Sequence, residues 1–340
     1  MSHRKLMIII GGRGLQSSQA FEKFFQLLKR SGLDEYWLVS VSALVVQELY
    51  IKRVLLLMGL ECKERDFQML AEMLAEEMER RGIEPPKILL SVIRSYRHIR
   101  ASLIHDPNKT SILPEEALAI VNNTYSLINA VSKCVGEIFA EEIVKMAEND
   151  AKAAYNTFKE TKIVCGPEFL KKIMNKVIEV IRKQSYRRIQ PNIAVFLKCI
   201  IEECASDEKV KLTELLVRDV IPHEVSKRNI EVWEIMKELT KSEGVRELFR
   251  RHSDLVDLLI TGFSGADNFR VANEASKCLD NLFDELRQEH LRRIVNAFFE
   301  NNQLRGAWEV QNFMRKVILQ KKEYLDAEEY ERLKQALGLG

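Results

Sequence analysis

The stretch 85-PPKILLSVIRSYRHIRASLIHDP-107 has the spacing of an amphipathic helix. Pro85 and Pro86 suit the first turn of a helix, where a backbone amide has no intrahelical partner to lose. Pro107 disfavours helical backbone at the residue before it. Seven apolar residues recur every three or four positions and form one face: Ile88, Leu89, Val92, Ile93, Tyr96, Ile99 and Leu103. The stretch therefore predicts a helix over 85–104 with one face packed on a core.

A second stripe of this helix is cationic and contains Arg94, Arg97, His98, Ala101 and His105. Residues 87–105 contain no Asp or Glu, so nothing nearby in the sequence offsets the repulsion between the arginines at 94, 97 and 100. An anion from outside the chain is the simplest partner. On an ideal helix Arg100 and His105 point about 140° apart. Either His105 lies on a frayed last turn, or a second copy of the helix contributes across a two-fold axis.

Helical spacing extends through most of the chain after residue 17, where glycine and proline are scarce. Further candidate helices cover 17–31, 34–58, 63–81 and 114–148, and a series of shorter helices follows from 167 to 337. We therefore predict an all-α protein. Its predicted parts are an N-terminal arm (1–16), a helical bundle (17–150), a linker (151–166) and a helical-repeat domain (167–340).

The repeat prediction depends on similar segments in the C-terminal half. Arg270-x-Ala272-x-Glu274 matches Arg305-x-Ala307-x-Glu309, and the distance between the two arginines is 35 residues. A related segment begins at Arg228, 42 residues before Arg270. A spacing near 40, with a small residue early in the helix, resembles HEAT or armadillo repeats. This resemblance implies stacked helix pairs over about 167–337.

Positive charge is concentrated between Lys159 and Lys198, where ten Lys or Arg residues stand against three Asp or Glu. The densest part predicts an RNA-binding patch formed by Arg182, Lys183, Tyr186, Arg187 and Arg188. Cations suit a phosphate backbone, and a tyrosine can stack a base. The alternative is a solvated helix face and loop.

Net charge, cysteine spacing and the length of apolar runs limit the classes of protein to which this chain can belong. A net charge of +2 over 340 residues identifies no partner by itself. Six widely spaced cysteines, without C-x-x-C or a Cys/His cluster of zinc spacing, indicate buried thiols in a reducing compartment. No apolar run reaches the ~18 residues of a membrane span. We expect a cytoplasmic protein with no membrane segment, metal or cofactor.

Three segments carry a resemblance to a known family. Arg100-Ala-Ser-Leu-Ile-His105 fits an Arg-x4–6-His motif, Val45–Val54 resembles the preceding helical run, and Pro114–Val121 resembles the following one. Together they resemble the HEPN superfamily, whose helical bundles carry this motif at the end of the third core helix. Ala101 departs from the family, in which the position after the arginine is commonly polar.

The HEPN resemblance implies a metal-independent endoribonuclease of the toxin, defence or RNA-processing kind, working as a homodimer. His105 would act as general acid or base, and Arg100 would hold the phosphate, with Arg94, Arg97 and His98 as auxiliary groups. Attack by the ribose 2′-OH would give a 2′,3′-cyclic phosphate. The alternative, which Ala101 favours, is a non-catalytic RNA- or protein-binding scaffold whose repeats dock a protein partner.

Overall fold

A computed structural model describes residues 35–62, 66–93, 103, 111–166, 168–183, 189–223 and 228–339. Within these ranges all regular secondary structure is helical, which confirms the all-α prediction for this part of the chain. No helix of the described part is long and apolar enough to cross a membrane. The predicted arm (1–16) and the candidate helix 17–31 lie outside it.

The helices of the described ranges follow the sequence pattern closely. Residues 87–93 are helical, a π-helical turn covers Leu216–Val220, and 3₁₀ turns cover Ile201–Glu203, Phe283–Glu285 and Lys322–Tyr324. The α-helices with two described ends are α1 (Glu35–Leu57), α2 (Phe67–Arg80), α3 (Pro114–Asn149), α4 (Ala151–Cys165), α5 (Phe169–Lys183), α6 (Pro191–Ile200), α7 (Ser206–Leu215), α8 (Ile230–Thr240), α9 (Glu243–Arg251), α10 (Ser253–Ser264), α11 (Phe269–Asn281), α12 (Gln288–Glu300), α13 (Asn302–Gly306), α14 (Trp308–Gln320) and α15 (Ala327–Ala336).

The chain forms two compact units. Unit 1 contains the described residues up to Glu142 together with Thr157–Lys172, and unit 2 contains Ile143–Asn156 and the described residues from Ile173 onward. The segment predicted as a linker, 151–166, is helical over α4. Asp150 begins that helix by accepting hydrogen bonds from the backbone amides of Lys152 and Ala153. The domain boundaries expected from the sequence stay a prediction.

Buried polar groups connect α1 to α3 in unit 1. The Gln47 amide donates to Thr124 Oγ1 at 2.6 Å. The Tyr50 hydroxyl lies 2.7 Å from Ser132 Oγ, which in turn donates to the carbonyl of Val164. Burial raises the pKa of Tyr50 above its usual range, so this hydroxyl stays protonated. Satisfied buried hydrogen bonds of this kind fix which faces of the two helices meet.

The end of α2 carries a buried carboxylate, Glu77. Its oxygens accept hydrogen bonds from Arg80 at 2.6 and 2.7 Å and from Arg81 at 2.6 Å. Arg81 also donates to Glu142 at 2.6 Å and to the carbonyl of Met58 at 2.9 Å. Hydrogen bonding, from Arg80 above all, lowers the pKa of Glu77 to about 2 although burial acts in the opposite direction. This network joins α2 to the end of α1 and to α3.

Unit 2 is built on a constant register of 39 residues. Its helices α6, α8, α11 and α14 begin at residues 191, 230, 269 and 308, and each packs against the next. The third residue of each is β-branched and the tenth is also apolar, and all eight side chains are buried: Ile193, Val232, Val271 and Val310, then Ile200, Leu239, Cys278 and Val317. Each of these helices therefore buries its hydrophobic face against the next helix of the series, as in repeat architectures generally.

Polar contacts recur at nearly the same spacing. Ion pairs between successive helices of this array, each with an N–O distance of 2.6 Å, are Lys198–Glu234, Lys237–Glu274 and Lys316–Asp280. Asparagine side chains bind backbone groups of the neighbouring pair. Asn281 donates to the carbonyl of Lys237 at 3.0 Å, and Asn301 donates to that of Ala266 at 2.8 Å. The array thus uses many of its own charges to hold its register.

The register differs from the one that the arginine match indicated. The distances of 42 and 35 residues aligned Arg228 with Arg270 and Arg270 with Arg305, but Arg305 lies in the short helix α13, before α14 begins. The structural equivalent of Phe269 is Trp308, 39 residues later. The match was wrong because it followed exposed arginines, whereas the repeat is conserved in buried apolar positions.

We expect Glu77→Gln to lower the free energy of unfolding by about 2 kcal/mol at pH 7, because Arg81 loses its buried anionic partner. The folded-state pKa lies below the ordinary value of 4.5. The stabilisation is therefore complete above pH 4.5 and is lost as the pH falls toward 2. Urea unfolding between pH 7 and pH 3 should show the difference between variant and wild type shrinking. Glu142→Gln, at the exposed end of the network, should cost under about 1 kcal/mol, and equal losses in the two variants would contradict the assignment.

Candidate functional site

The predicted catalytic pair, Arg100 and His105, lies outside the described residues, as do the auxiliary residues Arg94, Arg97 and His98. The same helical stretch is described at 87–93 and at Leu103. Leu89, Val92 and Leu103 are buried, as the apolar face predicts. These three positions fall on one side of a helix of ordinary period. The cationic stripe opposite them stays a prediction.

The chain enters this stretch through a well-defined turn. Gly82 follows α2 with φ 75°, a left-handed conformation that suits glycine. The amide of Ile83 donates back to the carbonyl of Met78 at 2.9 Å. Pro85 is buried, and the amide of Leu89 donates to the carbonyl of Pro86 at 2.8 Å, which begins the helical turn. The Gly82 turn therefore sets the direction in which the chain leaves α2 toward residues 87–93.

The two flanking segments of the family resemblance lie on helices that contact each other. Val45–Val54 is part of α1, and Pro114–Val121 begins α3. Gln47 and Tyr50, both in the first segment, supply the hydrogen bonds to Thr124 and Ser132 of α3. These hydrogen bonds show that α1 and α3 pack against each other, and the family resemblance stays a prediction.

Of the predicted RNA-binding patch, only Arg182 and Lys183 are described, and Tyr186, Arg187 and Arg188 lie outside. Arg182 and Lys183 are exposed in the last turn of α5. Within the described ranges neither forms an ion pair. A helix C-terminus also favours cations, which is the structural alternative to a binding role.

Other cations of the basic segment have internal partners. Lys172 lies 3.3 Å from Glu137 and donates to the carbonyl of Lys133 at 2.9 Å. Lys176 lies 3.4 Å from Glu179, and Lys198 pairs with Glu234 across two repeats. The excess positive charge counted from the sequence is therefore partly neutralised. Lys171, at the start of α5, and Arg182 and Lys183, at its end, are exposed and form no ion pair within the described ranges.

The prediction of buried thiols is confirmed for Cys165, Cys204 and Cys278 and is wrong for Cys199, which is exposed, while Cys62 and Cys134 are half-buried. All six are free thiols, and no group of three or more His, Cys, Asp or Glu with metal-site geometry occurs in the described ranges. Burial raises the pKa of Cys165 to about 12 and raises the pKa of Cys278 well above its usual range. Thiols with raised pKa values are poor nucleophiles at neutral pH.

One cavity, of about 360 Å³, lies in unit 2 beside the start of α12. His290 lines it and is buried, and its Nδ1 accepts a hydrogen bond from the amide of Arg287 at 3.2 Å. Burial lowers the pKa of His290, which favours the neutral ring that this bond requires. Glu285 also lines the cavity and pairs with Arg250 at 3.0 Å. Glu285 and His290 Nδ1 thus have partners within the chain, whereas His290 Nε2 is buried without a hydrogen-bond partner in the described ranges and lies 3.8 Å from Asp257 Oδ1.

Two exposed aromatic residues, Phe269 and Trp308, were missed by the sequence analysis. They begin α11 and α14, two successive helices of the 39-residue array, and are 51% and 63% exposed. A buried valine follows two residues after each, Val271 and Val310. Aligning these buried valines at a period of 39 would have shown that the aromatic residues occupy equivalent positions.

No family model matches this chain, and no curated protein or solved structure is significantly similar to it.

We expect the Arg182→Gln/Lys183→Gln variant to bind single-stranded RNA more weakly and with a smaller salt dependence. Two lost phosphate contacts should reduce the slope of log affinity against log salt by about 1.4. Fluorescence-anisotropy titrations at several salt concentrations would measure it. The matched control is Lys198→Gln/Glu234→Gln, which removes an internal ion pair from the same segment without changing net charge. An unchanged slope in the Arg182→Gln/Lys183→Gln variant would mean that these two side chains are solvated and do not contact RNA.

Proposed function

We propose that this protein is a metal-independent endoribonuclease whose HEPN-like N-terminal bundle acts through Arg100 and His105. The observation that supports it is the burial of Leu89, Val92 and Leu103, which agrees with the predicted apolar face. A helix continued at that phase would direct residues 94, 98 and 105 away from the core, and Arg100 toward the apolar side. The contact between α1 and α3 agrees with the proposed bundle. Residues 87–105 contain no carboxylate, so an RNA phosphate would be the partner of this cationic stripe.

The proposed chemistry needs only the two side chains and the RNA. The ribose 2′-oxygen attacks the adjacent phosphorus while its proton leaves to a base, and the bond to the 5′-oxygen breaks. His105 would accept or donate a proton in this exchange, since an imidazole can do either near neutral pH. Arg100 would hold the phosphate oxygens through its planar fork of donors. The products are a 2′,3′-cyclic phosphate and a 5′-hydroxyl.

A homodimer belongs to the same proposal. Arg100 and His105 diverge by about 140° on an ideal helix, so one chain does not present them to a single phosphate if the helix continues. Two copies related by a two-fold axis could pair Arg100 of one with His105 of the other. Such a shared site would make cleavage depend on dimer formation.

The C-terminal array supports the second candidate, a non-catalytic scaffold that binds RNA or protein. We propose that unit 2 is HEAT-like, because its first helices recur every 39 residues and each buries its face on the next. Arrays of this kind offer extended binding surfaces. Ala101, where the family commonly has a polar residue, favours this candidate over the enzyme.

We expect His105→Ala to slow RNA cleavage by roughly 10²–10⁴-fold while leaving RNA affinity nearly unchanged, because a proton-transfer group is lost. Arg100→Lys keeps the charge but loses the planar fork, so it should reduce the cleavage rate more than the affinity. Cleavage of a labelled RNA in excess EDTA, with analysis of the 3′ ends, would measure both effects. Wild-type activity that requires Mg²⁺, or that persists in His105→Ala, would favour the scaffold.

A mixing experiment tests the shared site. Arg100→Ala and His105→Ala should each be inactive alone, but their heterodimers would contain one intact Arg100–His105 pair. Random exchange makes half of the dimers heterodimers, so the mixture should recover about a quarter of wild-type activity. Light scattering on each protein would confirm that dimers are present. Dimers without recovered activity would place both residues of a site in one chain.

A further inference from the structure

The two exposed aromatic residues of the array, Phe269 and Trp308, lie close together. The Phe269 ring packs on the backbone of Gly306, where an added Cβ would clash with it. Gly306 is two residues before Trp308, which is at most ~7 Å along the chain. The neighbouring backbone is also fixed, since the amide of Glu309 donates to Asn273 Oδ1 at 3.0 Å. Phe269 and Trp308, at the starts of α11 and α14, are therefore neighbours in the array, and we call this pair of residues the aromatic edge.

Three arginines lie next to the aromatic edge. Arg270 follows Phe269 in the sequence, Arg305 precedes Gly306, and Arg315 lies beside the Trp308 ring. The Arg315 guanidinium lies 5.7 Å from the centroid of the Trp308 ring and donates to Asn312 at 3.1 Å. Arg305 donates to Asn302, and Arg270 is exposed. Within the described ranges none of the three forms an ion pair with a carboxylate.

The nearest carboxylates in the sequence are already engaged. Asp267, two residues before Phe269, pairs with Arg228. Glu309, next to Trp308, lies 3.5 Å from Lys277. Elsewhere on the array, cations and carboxylates pair across successive repeats. The aromatic edge thus combines exposed rings with guanidinium groups that no carboxylate neutralises within the described ranges. The N-termini of α11 and α14, which also favour anions, lie at the same place.

We propose that the aromatic edge binds single-stranded nucleic acid, with bases stacked on Phe269 and Trp308 and phosphates near the three arginines. Stacking on aromatic rings tolerates any base, and guanidinium groups beside the rings attract the backbone. An acidic peptide would satisfy the arginines but would bring a flat ring to Phe269 or Trp308 only where it carries an aromatic residue, whereas every nucleotide carries a base. The site needs neither Arg100 nor His105, so it stands apart from the proposed cleavage and would hold RNA or DNA strands alike.

Tryptophan fluorescence gives a direct test. The chain contains three tryptophans, of which Trp233 is fully buried, Trp37 is half-buried and Trp308 is 63% exposed. Full-length protein carrying His105→Ala would be titrated with oligouridylate and with its deoxy analogue, which 2′-OH chemistry cannot cleave. Both should quench Trp308 emission. Trp308→Phe should keep most of the affinity and lose the quenching.

Affinity measurements complete the test. Phe269→Ala and Trp308→Ala should each weaken binding by about 5- to 150-fold, the range for one stacked base. The matched control is Leu319→Ala, at the other end of α14 and 77% exposed, which should bind as the parent does. Arg315→Gln should reduce the salt slope by about 0.7. The proposal would be overturned if oligouridylate left Trp308 emission unquenched, or if the Phe269→Ala/Trp308→Ala protein bound it with wild-type affinity. It would also be overturned if an acidic peptide bound more tightly than oligouridylate and the same two substitutions abolished the binding of that peptide.

Discussion

The 39-residue register of unit 2 is the constraint on which most of the described structure depends. A helix such as α8 is buried along one face by α6 and along another by α11, so no pair completes its core alone. The fully buried side chains at the third and tenth positions repeat without interruption from α6 to α14. A shift of one residue would rotate each of these side chains by about 100° out of the core. The 39-residue register is therefore set mainly by the packing of buried side chains, and the polar contacts between helices add to its stability.

The polar contacts follow from that register and limit where function can lie. Lysines and carboxylates on successive helices come within hydrogen-bond distance because the repeats stack evenly, as with Lys237 and Glu274. Each half-exposed pair stabilises the fold by under about 1 kcal/mol. Their larger effect is on the surface, because a cation paired within the array no longer attracts an external phosphate. A net charge of +2 then says less about partners than the few arginines left unpaired.

Most of the helical architecture could be predicted from the sequence, because periodicity reports burial directly. The candidate helix 114–148 corresponds to α3, and 34–58 corresponds to α1. Helix α2 begins at Phe67, later than predicted, because Asp66 accepts the amide of Met69 at 2.9 Å and caps it there. The repeat register could not be found from arginines, since exposed positions are free to vary between repeats. The 39-residue register is visible in buried positions such as Val271 and Val310.

The surface chemistry was harder to predict, because exposure and pairing depend on residues far apart in the sequence. Lys198 and Arg182 look equivalent in the basic segment, yet the array pairs Lys198 with Glu234 and leaves Arg182 exposed. Phe269 and Trp308 carry no signal of their own in the sequence, and only the register places each at the first residue of a helix. There the Phe269 ring covers Gly306, and Trp308 remains open beside Arg315. A residue's neighbours across the repeat, more than its type, therefore decide whether it is available for binding.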